Sequence, residues 1–373
     1  MATALAEHAR DRIANGLVIA PEGQAAAVPG MSVRETAHPT PDLRCERAAR
    51  EALGLAAAAR PDDVFVLLLS GGASSLMTVP AEGLAMDEVA HTADLLMAAG
   101  AEIDELNAVR KHLSAISGGR LARALRCGRV EALVLSDVPG DRLDVIGSGP
   151  VTADPSTYAI ALTTLERRGV IGETPRDIVA HLEAGARGDV EETVKPGDPT
   201  LHRVRTTLVA TNGTARAAAL ASAERRGLDC VDLGELLAGE AREAGRELVE
   251  RVCKDRPRGE TCWVAGGETA VTLRGAGRGG RSQELALAAA LALQGTADIT
   301  LLAVGTDGRD GPTDAAGAFA DGGSVARGRE RGVDALAALA INDSHAFFAA
   351  EGGLLVTGAT GTNVMDLVLV ESS

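Results

Sequence analysis

Val64-Phe65-Val66-Leu67-Leu68-Leu69 runs straight into Ser70-Gly71-Gly72-Ala73-Ser74-Ser75. Six apolar side chains without alternation read as a strand covered on both faces, the habit of parallel sheets. The glycine–serine turn behind it lets backbone come close to a ligand and aligns amide donors as an anion nest. A tight strand-to-helix turn with a serine N-cap accounts for the same residues without any ligand. No Gly-Lys-Ser/Thr follows, so this is not a Walker A loop.

The pattern recurs along the chain. Residues 132–135 (ALVL) lead into Ser136-Asp137-Val138-Pro139-Gly140-Asp141, and 262–265 (CWVA) into Gly266-Gly267-Glu268-Thr269. Residues 299–304 (ITLLAV) lead into Gly305-Thr306-Asp307-Gly308, and 354–356 (LLV) into a turn that runs to Thr362-Asn363. Segments 45–60, 86–100, 212–226, 235–255 and 282–293 carry helical periodicity between them. Strands alternating with helices imply an α/β fold with a mainly parallel sheet, whose ligands bind at the carboxyl ends of the strands. Residues 183–200 are acidic and rich in Gly and Pro, and read as a linker or a surface excursion. A second thin point at 255–260 (DRPRGE) sets the expected boundary, with an N-terminal domain at 1–255 and a smaller C-terminal one at 256–373.

Composition narrows the function classes. The 373 residues include four Phe, one Trp and one Tyr, so the core must be built from Ala, Val, Leu and Ile. A net charge of −15 with no basic face argues against nucleic acid as a partner. The five cysteines are odd in number and form no C-x-x-C pair, which suits a reducing cytosol better than zinc or disulfides. No stretch is long and apolar enough for a membrane span, and residues 1–17 lack the apolar core of a signal peptide. A cytoplasmic protein acting on a small molecule is expected, with a homodimer as its assembly.

Four segments carry residues suited to anion chemistry. Asn107, Arg110, Lys111 and Ser114 are spaced i, i+3, i+4 and i+7 and so share a helix face, fit for a phosphate or carboxylate or simply for solvent. Residues 136–150 hold Asp137, Asp141 and Asp144, candidates for Mg²⁺ ligation or plain turn formers, and then Gly147-Ser148-Gly149, a further nest candidate. In 274–284 (RGAGRGGRSQE), Arg274, Arg278 and Arg281 lie among glycines, with Gly280 directly before a helix start. An arginine there can stabilise a transferring phosphoryl group, although a solvated loop has the same composition. Asp307 opens a D-x-x-D-G run that lacks the terminal glutamate of a calcium loop. It is a candidate metal ligand or general base.

Taken in order, SGGASSL, LNAVRKHLSAISGGRLA, SDVPGD…IGSGPVTADPSTY, GGET…GRGGRSQE, GTDGRDGPTDAAGA and NDS…TGATGTNV resemble the glycerate 2-kinase family, many of whose members carry the older label hydroxypyruvate reductase. The resemblance spans residues 15–369. It implies ATP-dependent phosphorylation of D-glycerate to 2-phosphoglycerate with Mg²⁺. It also implies a larger Rossmann-like domain, a smaller C-terminal α/β (MOFRL-type) domain and an active-site cleft between them. It assigns the catalytic arginine to Arg281, with Asp307 beside it as the second catalytic candidate. Ser70, Gly71, Gly72, Ser74, Ser75, Asn107, Arg110, Lys111, Gly147, Ser148, Gly149, Gly267, Glu268, Thr269, Arg278, Gly280, Thr362 and Asn363 would bind substrate or nucleotide, and Asp137 and Asp307 the metal. The family also begins with a strand and a Gly-x-Gly-Lys-Ala turn ahead of the helix that residues 1–15 match. The expectation is that the reading frame upstream of Met1 encodes them. Two alternatives stand beside the kinase: an NAD(P)H-dependent hydroxypyruvate reductase, and a truncated ligand-binding paralogue without catalysis. Against the reductase, the glycines at 275, 277, 279 and 280 do not have G-x-G-x-x-G spacing and open no βαβ unit.

Overall fold

A computed structural model describes residues 1–37, 40–255 and 259–373. The chain divides into two compact units. The first comprises Met1–Val134 with Asp141–Val209, and the second Leu135–Gly140 with Ala210–Ser373.

In the first unit, β1 (Leu17–Pro21) pairs in parallel with β2 (Ser32–Thr36). A separate sheet runs β3 (Val64–Leu69), β4 (Arg129–Leu135), β5 (Val204–Ala210), with β3 and β4 parallel from Val64 opposite Arg129 to Leu69 opposite Val134. Helix Leu43–Ala58 lays Ala49 and Ala56 on the core formed by Leu121, Leu125, Val130 and Ala132. A second, helical core gathers Leu96, Leu106, Val109, Leu113, Leu165, Ile178 and Leu182 around Tyr158. With so few aromatics, small and branched aliphatic side chains fill both cores. The stretch at 183–200 is no linker. Helix Arg176–Arg187 takes its first part, and Thr193 and Val194 are then buried. The Val194 amide donates to Gly118 O (2.9 Å), and Val194 O accepts from Asp154 N (2.7 Å).

The second unit is one mixed sheet ordered β10–β9–β8–β11–β7–β6. Its strands are β6 (Asp229–Leu237), β7 (Thr261–Gly267), β8 (Ile299–Gly305), β9 (Gly317–Asp321), β10 (Leu354–Leu355) and β11 (Asp366–Ser372). β6 and β7 are parallel. β11, the last strand of the chain, enters antiparallel between β7 and β8 and pairs with both along its whole length. β7 is buried at every residue, as expected of a central strand covered on both faces. Helix Arg281–Ala292 is buried continuously from Ser282 to Ala290, so it behaves as a core helix rather than an amphipathic one. It packs on helix Ala241–Asp255, and the close approach occurs at Gly245, where an added Cβ would lie 2.3 Å from Leu285 O.

The α/β architecture agrees with the sequence reading. The boundary does not fall where expected. The expected limit of 255/256 runs into residues 256–258, which lie outside the described residues, and the contacts divide near 210 instead. The physical reason is β6, which hydrogen-bonds to β7 and thereby ties residues 229–255 to the C-terminal sheet. Residues 235–237, expected as helix, are the end of that strand. No described helix is long and apolar enough to cross a membrane.

Gly245→Val should force the two helices apart and destabilise the second unit by about 1–3 kcal/mol. Thermal unfolding followed by circular dichroism should show a lowered Tm.

Candidate active site

In the first unit the glycine–serine loops come together. Ser70 and Gly71 follow β3, and Gly72 opens the single helical turn Ala73–Leu76. The Ser75 hydroxyl donates to Gly72 O (2.9 Å) and so holds the turn; Ser74 sits beside it. Gly147, Ser148 and Gly149 are three consecutive left-handed residues (φ 56°, 59° and 58°). Such a run is costly for the serine and persists only when its surroundings hold it. They do: Ser148 O and Gly149 O accept from the amides of Gly118 (3.0 Å) and Gly119 (2.8 Å). A Cβ on Gly147 would lie 2.9 Å from Leu69 Cδ1 and 3.2 Å from Ala73 Cβ, so this loop rests directly on the Ser70–Ser75 turn.

Helix Ile103–His112 divides its polar residues in two. Asn107 is buried and Arg110 largely so, yet neither side chain has a hydrogen-bond or ion-pair partner among the described residues. Burial alone lowers the Arg110 pKa. An arginine desolvated without a counter-ion is unfavourable until an anion meets it. Lys111 departs from the expected shared face. Its side chain is 4% exposed, and its ammonium lies 3.3 Å from Asp154 and 3.4 Å from Asp144. Its charge is engaged within the protein, not on offer to a ligand. Ser114 accepts from the amides of Ile116 and Ser117 and closes the turn after the helix. His112 is structural, with Nδ1 against Ala108 O (2.6 Å) and Nε2 against Glu192 (2.8 Å).

The second unit builds its charge around Arg281, the first residue of helix Arg281–Ala292. Its Nε donates to Asp366 Oδ2 (2.5 Å) and Nη2 to Asp366 Oδ1 (3.1 Å), a two-pronged grip. Its Nη1 donates to Glu268 Oε1. Burial acts against the guanidinium charge, but the two carboxylates outweigh it and raise the Arg281 pKa. Asp366 is buried, and burial pushes its carboxyl up to about 6 although Arg281 pulls the other way. Asp137 is half-buried; burial raises its pKa, nearby Glu268 adds to this and Arg281 opposes it.

The helix start is fixed by Asp310. Its carboxylate accepts from the amides of Ser282 (3.0 Å) and Gln283 (2.7 Å) and from Gln283 Nε2 (2.9 Å). It caps from a distance, because Gly280 at the N-cap position has no side chain. The glycine-rich loop ahead of it is not a loose solvated segment. Asn342 Oδ1 accepts from Arg274 N (2.6 Å) and Gly275 N (3.2 Å), and Asp343 Oδ1 accepts from Arg278 N (2.9 Å). A Cβ at Gly275, Gly277, Gly279 or Gly280 would meet Ile341, Asp343, Ser344 or Asp310 within 2.7 Å. Gly275, Gly277 and Gly280 admit close backbone, and Gly279 admits the Ser344 hydroxyl. The Arg278 side chain reaches Pro312 O (3.5 Å).

Asp307 stands at the end of β8, where its Oδ1 accepts from Arg309 N (2.9 Å) and no described residue engages its second oxygen. Thr360 Oγ1 donates to Thr306 O (2.6 Å) and Thr360 N to Asp307 O (3.0 Å), which ties the 357–365 turn to this loop. Within that turn Thr362 is exposed, and Asn363 Oδ1 accepts from Met365 N (3.0 Å). Gly267 ends β7 and Thr269 is buried beside Glu268. Among the described residues no group of three or more His, Cys, Asp or Glu side chains could hold a metal alone. Mg²⁺ is ordinarily held by one or two carboxylates with waters and phosphates completing the shell. Asp137 and Asp307 fit that smaller demand.

Sequence reasoning missed Asp366, Asp310, Asn342 and Asp343. Asp310, Asn342 and Asp343 fall inside the family motifs, whereas Asp366 lies two residues past the last of them, and a lone Asp before an apolar run carries no local signal of an arginine 85 positions away.

Fold and site together define a two-unit α/β enzyme with an anchored arginine at a helix start. Residues 1–183 match the family model described as a domain of unknown function (DUF4147), and residues 261–366 match the MOFRL family. A glycerate 2-kinase from Pyrococcus horikoshii is 38% identical over 96% of this chain and 81% of its own length. A D-glycerate 2-kinase from Thermotoga maritima is 40% identical over 99% of this chain and 87% of its own. The crystal structure of a Thermotoga maritima glycerate kinase superposes with a TM-score of 0.90 at 39% identity, covering 100% of this chain and 88% of that one. The chain belongs to the glycerate 2-kinase family.

Asp310→Ala should cost about 2 kcal/mol, since it removes a helix cap and leaves the buried Gln283 amide without its acceptor. Hydrogen exchange should show the Ser282 and Gln283 amides losing protection ahead of the rest of the helix.

Proposed function

We propose that this chain transfers the γ-phosphoryl group of ATP to the 2-hydroxyl of D-glycerate, giving 2-phosphoglycerate and ADP. The observation that carries the reading is Arg281: a guanidinium fixed at a buried helix start in a chain that matches glycerate 2-kinases over nearly its whole length. Phosphoryl transfer asks a protein mainly for positioning and for charge stabilisation. The glycerate hydroxyl oxygen forms a bond to the γ-phosphorus, and the bond from that phosphorus to the β–γ bridging oxygen breaks. Arg281 stabilises the negative charge spread over the transferring group.

The unpartnered Arg110 is assigned the substrate carboxylate, with the Asn107 amide beside it. The amides of the Ser70–Ser75 and Gly147–Gly149 loops are assigned to phosphate oxygens. Asp137 and Asp307 would hold Mg²⁺, which when bound neutralises phosphate charge. Asp307 also has a free oxygen suited to take the hydroxyl proton.

The test supplies MgATP and D-glycerate and follows ADP. Adding enolase identifies the product, because enolase consumes 2-phosphoglycerate directly and leaves the 3-isomer untouched. NADH oxidation with hydroxypyruvate, and no ADP from glycerate, would overturn the reading in favour of a reductase. Arg281→Ala should lower kcat on the order of 100-fold or more, and should also lower Tm, because the buried Asp366 loses its cation.

A pH dependence follows from Asp366. Its charged form grips Arg281, so kcat/KM should fall as pH drops through about 6. Stability runs the opposite way: a carboxyl with a raised pKa favours the folded state most below its ordinary range. That contribution is lost as pH rises through about 6. A pH–rate profile with its acid limb below pH 5 would exclude Asp366 as the group responsible.

A further inference from the structure

The two carboxylates on Arg281 are unlike each other. Asp366 takes Nε and Nη2 together, and its side chain is 8% exposed. It opens the central strand β11, opposite Gly267 on one side and Gly305 on the other, so no neighbouring side chain crowds it. Its backbone is fixed as well, because the buried Asn212 donates from Nδ2 to Asp366 O (3.0 Å) and Val364 O (3.0 Å). Glu268 takes only Nη1, and its side chain is 37% exposed. It sits past the end of β7, where its amide bonds Leu237 O (3.0 Å). One partner is bidentate, buried and part of the sheet. The other is single-pronged and half in solvent.

We infer that Asp366 is a positioning residue that aims the Arg281 guanidinium, and that Glu268 is a displaceable counter-ion occupying the prong which a phosphate oxygen takes. The inference rests on the reading of Arg281 as the phosphoryl-binding group. A bidentate fork sets the plane of the guanidinium, which a single contact cannot do. With Asp366 holding one edge, the remaining Nη1 donors point in a fixed direction, and that is the preorganisation charge stabilisation needs. An exposed carboxylate bonded to Nη1 is cheaply released to water, whereas a buried one is not. Glu268 thus keeps Arg281 paired without ligand and competes with an incoming oxyanion.

The roles separate in kinetics. Asp366→Asn keeps the shape but loses the charged grip; kcat should fall on the order of 100-fold, with the KM for ATP changed less than threefold. Glu268→Gln removes the competitor; the KM for ATP and the Kd for inorganic phosphate, read by calorimetry without nucleotide, should both fall severalfold. Arg281→Lys keeps the charge without the fork and should lose kcat as Asp366→Asn does. It also leaves Asp366 in place should the asparagine variant fold poorly. Added guanidinium should restore part of the activity of Arg281→Ala, and much less of it in the double variant with Asp366→Asn. Near-parental kcat in both Asp366→Asn and Arg281→Lys would overturn the positioning role. Unchanged or weaker phosphate binding in Glu268→Gln would overturn the counter-ion role. A parental chain that makes no ADP from glycerate would instead reject the kinase reading, and the phosphate titration would still decide the role of Glu268.

Discussion

A carboxylate buried as deeply as that of Asp366 is tolerable only beside a cation, and Arg281 is that cation. Much of the second unit can be understood as the means of bringing these two residues together. Arg281 arrives on a helix whose next nine residues are buried and whose first turn is capped by Asp310. Asp366 arrives on β11, threaded between β7 and β8. The same threading sets Glu268 and Asp307, each just past the end of a neighbouring strand, at the end of the sheet where Asp366 opens β11. Removing either member of the pair would leave a buried charge without compensation, a loss of about 3–5 kcal/mol.

What was legible in the sequence follows physical range. Strands β3, β7 and β8 showed themselves as largely apolar runs ending in polar turns; β7 is buried on both faces, as that trace implies, whereas β3 leaves Val64 and Val66 exposed. β5 and β6 did not, since Thr206, Thr207, Asp232 and Glu235 interrupt their apolar residues. The short stretch LVLV of β11 was equally silent, and the sheet's mixed direction with it. The place of β11 depends on pairings from 61 residues (Asp366 with Gly305) to 111 residues (Ser372 with Thr261) apart, for which a single sequence holds no local mark. The glycine-rich segment before Arg281 was recognised as special, but for a different cause: its glycines admit the 341–344 backbone, and its donors are consumed by Asn342 and Asp343.

In the first unit, the helix face drawn from spacing alone divides in two. Among the described residues Asn107 and Arg110 have no side-chain partners, while Lys111 is spent on Asp144 and Asp154. Those aspartates flank the Gly147–Gly149 loop in sequence, one before and one after it. The lysine serves the loop by holding both of its ends, a role no periodicity argument distinguishes from ligand binding. The acidic stretch around residue 192 was misread for a related reason. Its charges look like those of a solvated linker, yet Glu192 meets His112 and Thr193 meets Asp154.

The place of β11 has a bearing on biosynthesis. The ribosome makes β11 after both of the strands it joins, and until residues 366–372 emerge the facing edges of β7 and β8 have nothing between them. β7, buried throughout in the finished sheet, must wait about 100 residues of translation with its edge unfilled. Such an intermediate is a target for chaperones and a hazard for edge-to-edge association. It also holds Arg281 without its buried partner. Arg281 therefore gains its bidentate partner only once residues 366–372 have entered the sheet.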